Sequence, residues 1–322
     1  TVFGKNTSAG VINVMTRRPG YEQAAEGSLS VGNYGEIGIS GALNQPLGEQ
    51  SAVRIYAAKR RRDGFNQINT AGGPRQERDD ANRDFHTLRA QLLIEPSDRV
   101  DINLIADFTS RQEDCCVGLA TERSALGQGP AAIINALTGG QGLPTTIDPS
   151  QRLGYANRST EQDTKDKGLS AEVNWELGAL GGASLTSITA FRDWTSINAM
   201  DADFSGADLI FRDADPKGHS TAFETFSQEL RLTGTSGRVD WMIGAFWADE
   251  TLDRYDQYQV GAHYEPYLST LVGSQVLAGL SAQLAPMSIS VDMSNPALFF
   301  SQVSGRPFGT GFIGGGSQDY YQ

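Results

Sequence analysis

Apolar and polar side chains alternate along this chain in segments of about ten residues, and the connections between segments are by turns short and long. Period-two alternation puts successive side chains on opposite faces of a strand. From Gly168 to Leu177, Leu169, Ala171, Val173, Trp175 and Leu177 share one face, with Ser170, Glu172, Asn174 and Glu176 on the other. Val100, Ile102, Leu104, Ala106 and Phe108 oppose Asp101, Asn103, Asp107, Thr109 and Arg111, with only Ile105 out of place. Leu88, Ala90, Leu92 and Ile94 alternate with Arg89, Gln91 and Glu95; Val53, Ile55 and Ala57 alternate with Arg54 and Tyr56; Leu230 and Leu232 face away from Glu229 and Arg231. Segments 185–194 and 239–250 carry apolar residues on both faces, so alternation alone does not say which face points inward.

The connections constrain the fold further. Pro46–Glu49, Pro96–Arg99, Gly178–Gly182 and Thr235–Gly237 read as hairpin turns rich in Gly, Pro, Asp and Ser. Between them lie long connections, about 63–82, 112–166, 199–221 and 252–316. The first pair departs from the rule, meeting at a tight Gly32-Asn33-Tyr34-Gly35 turn. Strands in soluble proteins average ~5–6 residues, whereas one tilted across a bilayer needs ~9–11. Loops beyond ~12–15 residues are uncommon in compact domains, but outer-membrane barrels pair terse periplasmic turns with long extracellular loops. In lipid each unpaired backbone amide costs several kcal/mol, so a spanning sheet must close. The expected fold is therefore mainly β, an antiparallel up-and-down transmembrane β-barrel. An open sheet of the about nine strands counted here would leave two bare edges, so more chain is expected to complete it. A soluble sandwich or propeller should instead show turn signals every ~8–12 residues.

Composition removes other classes. No run approaches the ~18 apolar residues of a membrane helix. A formal charge of −12 argues against a nucleic-acid partner. Two adjacent cysteines and three scattered histidines (His86, His219, His263) make a poor metal set. No G-x-S-x-G, H-E-x-x-H or ordered Ser/His/Asp set occurs, so hydrolase readings have no support.

The first nineteen residues do not read as barrel. Lys5-Asn6-Thr7-Ser8 between Gly4 and Gly10 forms a turn, and Val11–Met15 reads as a short strand stopped by Arg17-Arg18-Pro19. This stretch resembles the end of the plug domain in the TonB-dependent receptor family. Phe3 and Gly4, then Ala9, Gly10, Val11, Ile12, Asn13 and Val14, and Thr16, Arg17 and Pro19, match that segment in order and spacing. Phe3 stands where Tyr is more usual, Ala9 where Gly is common, and Arg17 where Lys is common. The strand phrases at 184–194, 226–234 and 240–250 also look like those of its iron-siderophore receptor branch.

The resemblance implies residues 1–19 as the C-terminal end of a plug and 20–322 as the N-terminal part of a barrel of roughly 22 strands. It implies active uptake across the outer membrane of a Gram-negative bacterium, driven by the TonB–ExbB–ExbD complex through a region upstream of this chain, with no bond made or broken, so that neither an enzyme nor a cofactor is expected. The cargo would be a scarce ligand, first of all a ferric siderophore; vitamin B12, an oligosaccharide or an aromatic compound are the alternatives. A signal peptide, a TonB box and most of a plug are expected upstream, with more strands downstream. A passive porin-like channel would lack the plug motif, and a soluble binding protein would partition into water. Within the family, siderophore loops tend to use aromatics and Arg. The chain has fourteen Phe, ten Tyr and four Trp, although barrels also use aromatics as interface girdles.

Residue-level expectations are fewer. Alternation makes Arg89, Arg111, Glu172, Asn174, Glu229 and Arg231 the candidates for a polar lumen wall, either solvated or in salt bridges to the plug. Cys115 and Cys116 lie in the second long loop. Consecutive Cα atoms across a trans peptide are ~3.8 Å apart, below the usual span of a disulfide, so a bond between them would be labile. Pairing with each other outside the cell, bridging to cysteines in a part of the protein beyond this sequence, and two free thiols all stay open. Asp201-Ala202-Asp203-Phe204-Ser205-Gly206 begins like a calcium loop, but Arg212 stands where a bidentate Glu is needed, which favours an acidic solvated loop. Gly309–Gly314 fits G-x-G-x-x-G without a following helix and reads as a flexible loop. Tyr267–Leu284 and Ala131–Leu137 have helical spacing within loops.

Overall fold

A computed structural model describes residues 14–123, 127–178, 182–272, 301 and 311–321. Ten long strands follow one another: β1 (Ala24–Gly32), β2 (Glu36–Pro46), β3 (Ser51–Arg62), β4 (Arg83–Ser97), β5 (Val100–Asp114), β6 (Glu161–Glu176), β7 (Ser184–Asn198), β8 (His219–Ser236), β9 (Val239–Val260) and β10 (Gly311–Tyr321). Each pairs antiparallel with the next, so the sheet is up-and-down and chain order equals spatial order. The turns after β2, β4, β6 and β8 lie at one end, and the long connections lie at the other together with the tight β1–β2 turn.

The paired register settles the faces, because residues directly opposite in an antiparallel ladder point the same way. Ile55, Ala90, Ala106, Leu169, Phe191 and Phe226 form one continuous row. One residue along, Tyr56, Arg89, Asp107, Gly168, Arg192 and Thr225 form a row on the opposite face. The two ambiguous segments now have sides. Leu185 and Phe191 lie on the apolar face opposite Trp175 and Leu169, and Trp241, Ile243, Ala245 and Trp247 join them through β8.

That apolar face is bare. Leu29 is 73% exposed, Leu169 61% and Ile243 68%. Both clusters of buried hydrophobics lie in the long connections: Ile68, Val117 and Ala156 form one; Ile134, Ala207 and Leu209 the other. Soluble monomers rarely expose an apolar surface of more than a few hundred Å². On β6 the apolar face runs from Leu169 to Trp175, bounded above by Lys167, which pairs with Asp193 at 2.8 Å. The ten steps from Lys167 to Leu177 span about 33 Å along the strand, or about 23 Å at a tilt of ~45°, close to the ~25 Å apolar band of a membrane barrel.

Three expectations are corrected. The strands are 9 to 22 residues long, because the backbone ladder continues past the apolar band wherever neighbouring strands still pair. The second long connection consequently shrinks to 115–160, and β9 extends to Val260. The glycine run is not a loop: Gly311–Tyr321 is a tenth strand on β9 from Thr251 to Val260, with a bulge at Tyr258/Gln259. Backbone pairing needs no side chains, so a glycine run can still join a sheet. Val14 and Met15 are exposed and lie outside any strand. The helix at Ala131–Leu137 spans Gln128–Leu137, and 264–272 is helical; the rest of Tyr267–Leu284 lies outside the described residues.

Candidate functional site

The polar face and the loop cluster above it carry the chemistry. All six alternation-derived candidates fall on the polar face. Arg89 opposes Asp107 with 3.8 Å between charged atoms. Arg111 shares the strand and parity of Asp107 and lies 5.5 Å over the Phe85 ring. Glu172 and Asn174 face Asn103 and Asp101, and Glu229 and Arg231 pair with each other at 2.9 Å. Sequence reasoning missed Arg192, hidden in the ambiguous segment 185–194. Its guanidinium passes over β6 to Asp107 on β5, at 3.2 Å. The guanidinium lies directly over Gly168, where a Cβ would stand 2.7 Å from Arg192 Nη2.

The segment before β1 is fastened to this polar face. Arg18 donates to Glu172 at 2.7 Å and to Asp101 at 3.4 Å, and Asn174 donates to both carboxylates. Thr16 Oγ1 accepts from Gln91 at 3.2 Å. Asn44 clamps the chain where it turns into β1, donating to the Gly20 and Glu22 carbonyls at 2.8 and 2.6 Å and accepting from the Gly20 N–H at 3.0 Å. Arg17 pairs with Glu26, and Tyr21 donates to Glu95. Arg17 and Arg18, read from the local residue pattern as a strand stop, form ion pairs with Glu26 and with Glu172 and Asp101. Arg18 and Glu172 lie 154 positions apart, and no local signal connects them. Phe3, Gly4, Gly10, Val11, Ile12 and Asn13 lie outside the described residues.

At the other end the long connections fold on one another. Asn66–Asn69 pairs in parallel with Leu153–Tyr155. Beneath this, Arg75 and Asp80 form a fully buried ion pair at 3.3 Å. Arg75 also donates to Thr160 Oγ1 at 2.7 Å and to the carbonyls of Glu77, Asp79 and Arg158. Asp80 accepts from the Thr160 hydroxyl at 2.7 Å and the Val117 N–H at 2.8 Å. Arg158 grips Asp208 through two hydrogen bonds of 2.8 and 2.9 Å and lies 3.8 Å over the Phe211 ring. Burial raises the Asp208 carboxyl, but the Arg158 hydrogen bonds, the Ala262 N–H and the Arg158 charge outweigh it, and the net shift is downward.

The calcium-like loop belongs to this buried cluster, which corrects its reading as a solvated acidic loop. Asp201 is fully buried and accepts the N–H groups of Asn157 and Arg158 at 2.7 and 3.0 Å. Asp203 accepts from Ser205, Leu209 and Ile210. Carboxylates turned toward amide N–H groups in this way brace the loop. Burial, then the Asp203 charge, pushes the Asp201 carboxyl well above its ordinary range; burial pushes Asp203 up too. Among the described residues no group of three or more His, Cys, Asp or Glu is arranged to hold a metal ion. Cys115 and Cys116 are bonded to each other across a cis peptide, so the trans spacing assumed from sequence does not apply.

No helix among the described residues is long and apolar enough to cross a membrane, which says nothing of a β-barrel. No protein-family model matches the chain, and no curated protein matches it. Solved structures do. The closed form of the ferric-catecholate import receptor Fiu from E. coli K12 is 15% identical, with a TM-score of 0.54 over 77% of this chain and 34% of that one. The siderophore receptor PiuA from Acinetobacter baumannii is 14% identical, with a TM-score of 0.51 over 76% and 32%. The ferric yersiniabactin uptake receptor FyuA from Yersinia pestis is 13% identical, with a TM-score of 0.51 over 78% and 38%. The chain thus spans about a third of the length of the solved structures it matches. At such identities the likeness is one of fold: this antiparallel up-and-down sheet is similar to part of the barrel of outer-membrane receptors.

Proposed function

We propose that this chain is part of a receptor in the outer membrane of a Gram-negative bacterium that takes up a ferric siderophore with energy from TonB–ExbB–ExbD. One observation carries the reading. The sheet exposes a band of apolar side chains on one face, while the other face is polar and ion-paired and holds the segment that precedes β1. Lipid would cover the first face, and the second would line a lumen occupied by a plug. In that arrangement residues 1–19 end the plug, Arg89, Arg111, Glu172, Asn174, Glu229 and Arg231 line the lumen wall, and further strands close the barrel. The Arg18–Glu172 contact supports this orientation, because it draws the upstream chain to the polar side. Nothing in the site points to bond-making chemistry, so the proposed activity is transport.

The test uses the full-length protein in cells lacking their own siderophore receptors. Accumulation of radioactive iron from at least one ferric siderophore, lost on deletion of TonB, is the expected result. Uptake that persists without TonB would indicate a passive channel. A protein recovered in the soluble fraction without detergent would overturn the membrane reading.

A further inference from the structure

The Cys115–Cys116 bond joins neighbours in sequence and stands where β5 ends and a long connection begins. Cys116 is exposed and Cys115 half-buried, so solvent reaches the pair. They are the two cysteines of this sequence, and no third thiol within it competes for either sulfur.

On both sides of the bond the backbone is tied to the long connections. Asp114 donates its N–H to Asn82 Oδ1 at 2.6 Å, and its carbonyl accepts the Ala81 N–H at 2.9 Å. Cys115 donates to the Thr160 carbonyl at 3.0 Å. Val117 donates to the buried Asp80 carboxylate at 2.8 Å, and its side chain joins Ile68 and Ala156 in a buried cluster. Gly118 lies against the Phe204 ring, where a Cβ would stand 3.3 Å from Cδ1. Segments 63–82, 115–160 and 199–218 therefore meet at one short stretch of chain, and the sulfur–sulfur bond lies in the middle of it.

A bond between adjacent residues closes a small ring through their shared peptide group and fixes the torsions on either side. On the chain-entropy model even so short a closure restricts the opened chain by about tenfold in an equilibrium constant. The stretch so restricted carries the contacts to Asp80, Thr160 and Phe204, so the constraint acts where the loops come together.

We propose that Cys115–Cys116 is a thiol–disulfide exchange site through which the redox state of the medium sets the order of the loop cluster, its reaction partner being an external dithiol. One thiolate of the dithiol attacks Sγ of the more exposed Cys116, and Cys115 Sγ leaves and takes up a proton. The second thiol of the reagent then displaces Cys116 Sγ, which is protonated in turn, while the reagent closes its own disulfide. Two electrons and two protons pass to the cysteines, and the dithiol is oxidised. The opened chain regains its torsional freedom, and the hydrogen bonds made by the Ala81, Cys115 and Val117 amides break more often. The switch does not depend on the uptake proposal or on which ligand the protein carries.

The test is native-state hydrogen exchange on the full-length protein in micelles, before and after dithiothreitol. A separate aliquot receives phenylarsine oxide, which bonds to two neighbouring thiols with loss of water and so marks a reduced, accessible pair. Peptide mass spectrometry should find the arsenical on Cys115 and Cys116 only after dithiothreitol. Reduction should lower protection of the Ala81, Cys115 and Val117 amides by about tenfold, leave the β4–β5 ladder unchanged, and be reversed by reoxidation. The double variant Cys115→Ser, Cys116→Ser should show the lowered protection from the start and no response to dithiothreitol. Arsenical on the pair without dithiothreitol, none after it, unchanged protection in the reduced protein, or an equal loss in the β4–β5 ladder would overturn the switch.

Discussion

Replacing Arg75 by Met would leave Asp80 as a buried carboxylate whose remaining partners are the Thr160 hydroxyl and the Val117 N–H. Both side chains of the ion pair are fully buried, so solvent cannot screen the exposed charge. Removing one partner of such a pair costs about 3–5 kcal/mol. Four further hydrogen bonds from Arg75, to Thr160 and three backbone carbonyls, are lost as well. At ~1.4 kcal/mol per factor of ten, the open population of the loop cluster should rise by more than about two orders of magnitude. Native-state hydrogen exchange on the full-length protein in micelles reads this directly. The amides of Arg75, Cys115 and Val117, bonded to Asn157, Thr160 and Asp80, should lose protection by that factor. Amides in the β4–β5 ladder should be unchanged. Adding Asp80→Asn removes the unpaired charge and should recover part of the loss. A change below about tenfold in Arg75→Met, or no recovery in the double variant, would refute the claim that this ion pair holds the loops together.

Val173→Arg, near the middle of the apolar band, should destabilise the lipid-reconstituted protein by about 2–4 kcal/mol in urea titration, whereas Ser170→Arg, on the opposite face, should cost under ~1 kcal/mol; equal effects would contradict the face assignment. Asn44→Ala removes three hydrogen bonds to Gly20 and Glu22, about 1–3 kcal/mol in local anchoring, and should speed tryptic cleavage after Arg17 severalfold. Burial and then the Glu77 charge, opposed by Arg75 and the Asn82 hydrogen bond, push the Asp114 carboxyl up to about 6. Because its folded value lies above the unfolded one, its contribution to loop stability is full below about pH 4 and is lost as pH rises through about 6. Thermolysin resistance of the loop cluster should therefore fall between pH 5 and pH 7, and Asp114→Asn should flatten that fall.

The alternation in 88–95, 100–111, 168–177 and 229–232 was enough to place β4, β5, β6 and β8, to separate their faces and to set Arg89, Glu172 and Arg231 on the polar side. A strand's period of two is a local property of the backbone, so it survives in sequence wherever one face meets an apolar medium. Segments 185–194 and 239–250 resisted because their minority face also carries Ile188, Ala190, Met242 and Phe246; only the hydrogen-bonded register with β6 and β8 settled their orientation. The tenth strand was hidden for the opposite reason, since a glycine run has no alternation to read, yet its backbone groups still pair with β9.

Composition and periodicity by themselves determined that this chain makes long antiparallel strands with one greasy side, because those features depend on neighbours two residues apart. Tertiary structure alone decided that Arg18 reaches Glu172, that Arg192 crosses Gly168 to Asp107, that Arg75 buries against Asp80, and that Tyr34 meets Arg152. Each of those contacts joins positions on different strands or at different points in the loops, and their energies depend on burial and distance. Both quantities come into being only when the register is set and the loops have closed over one another.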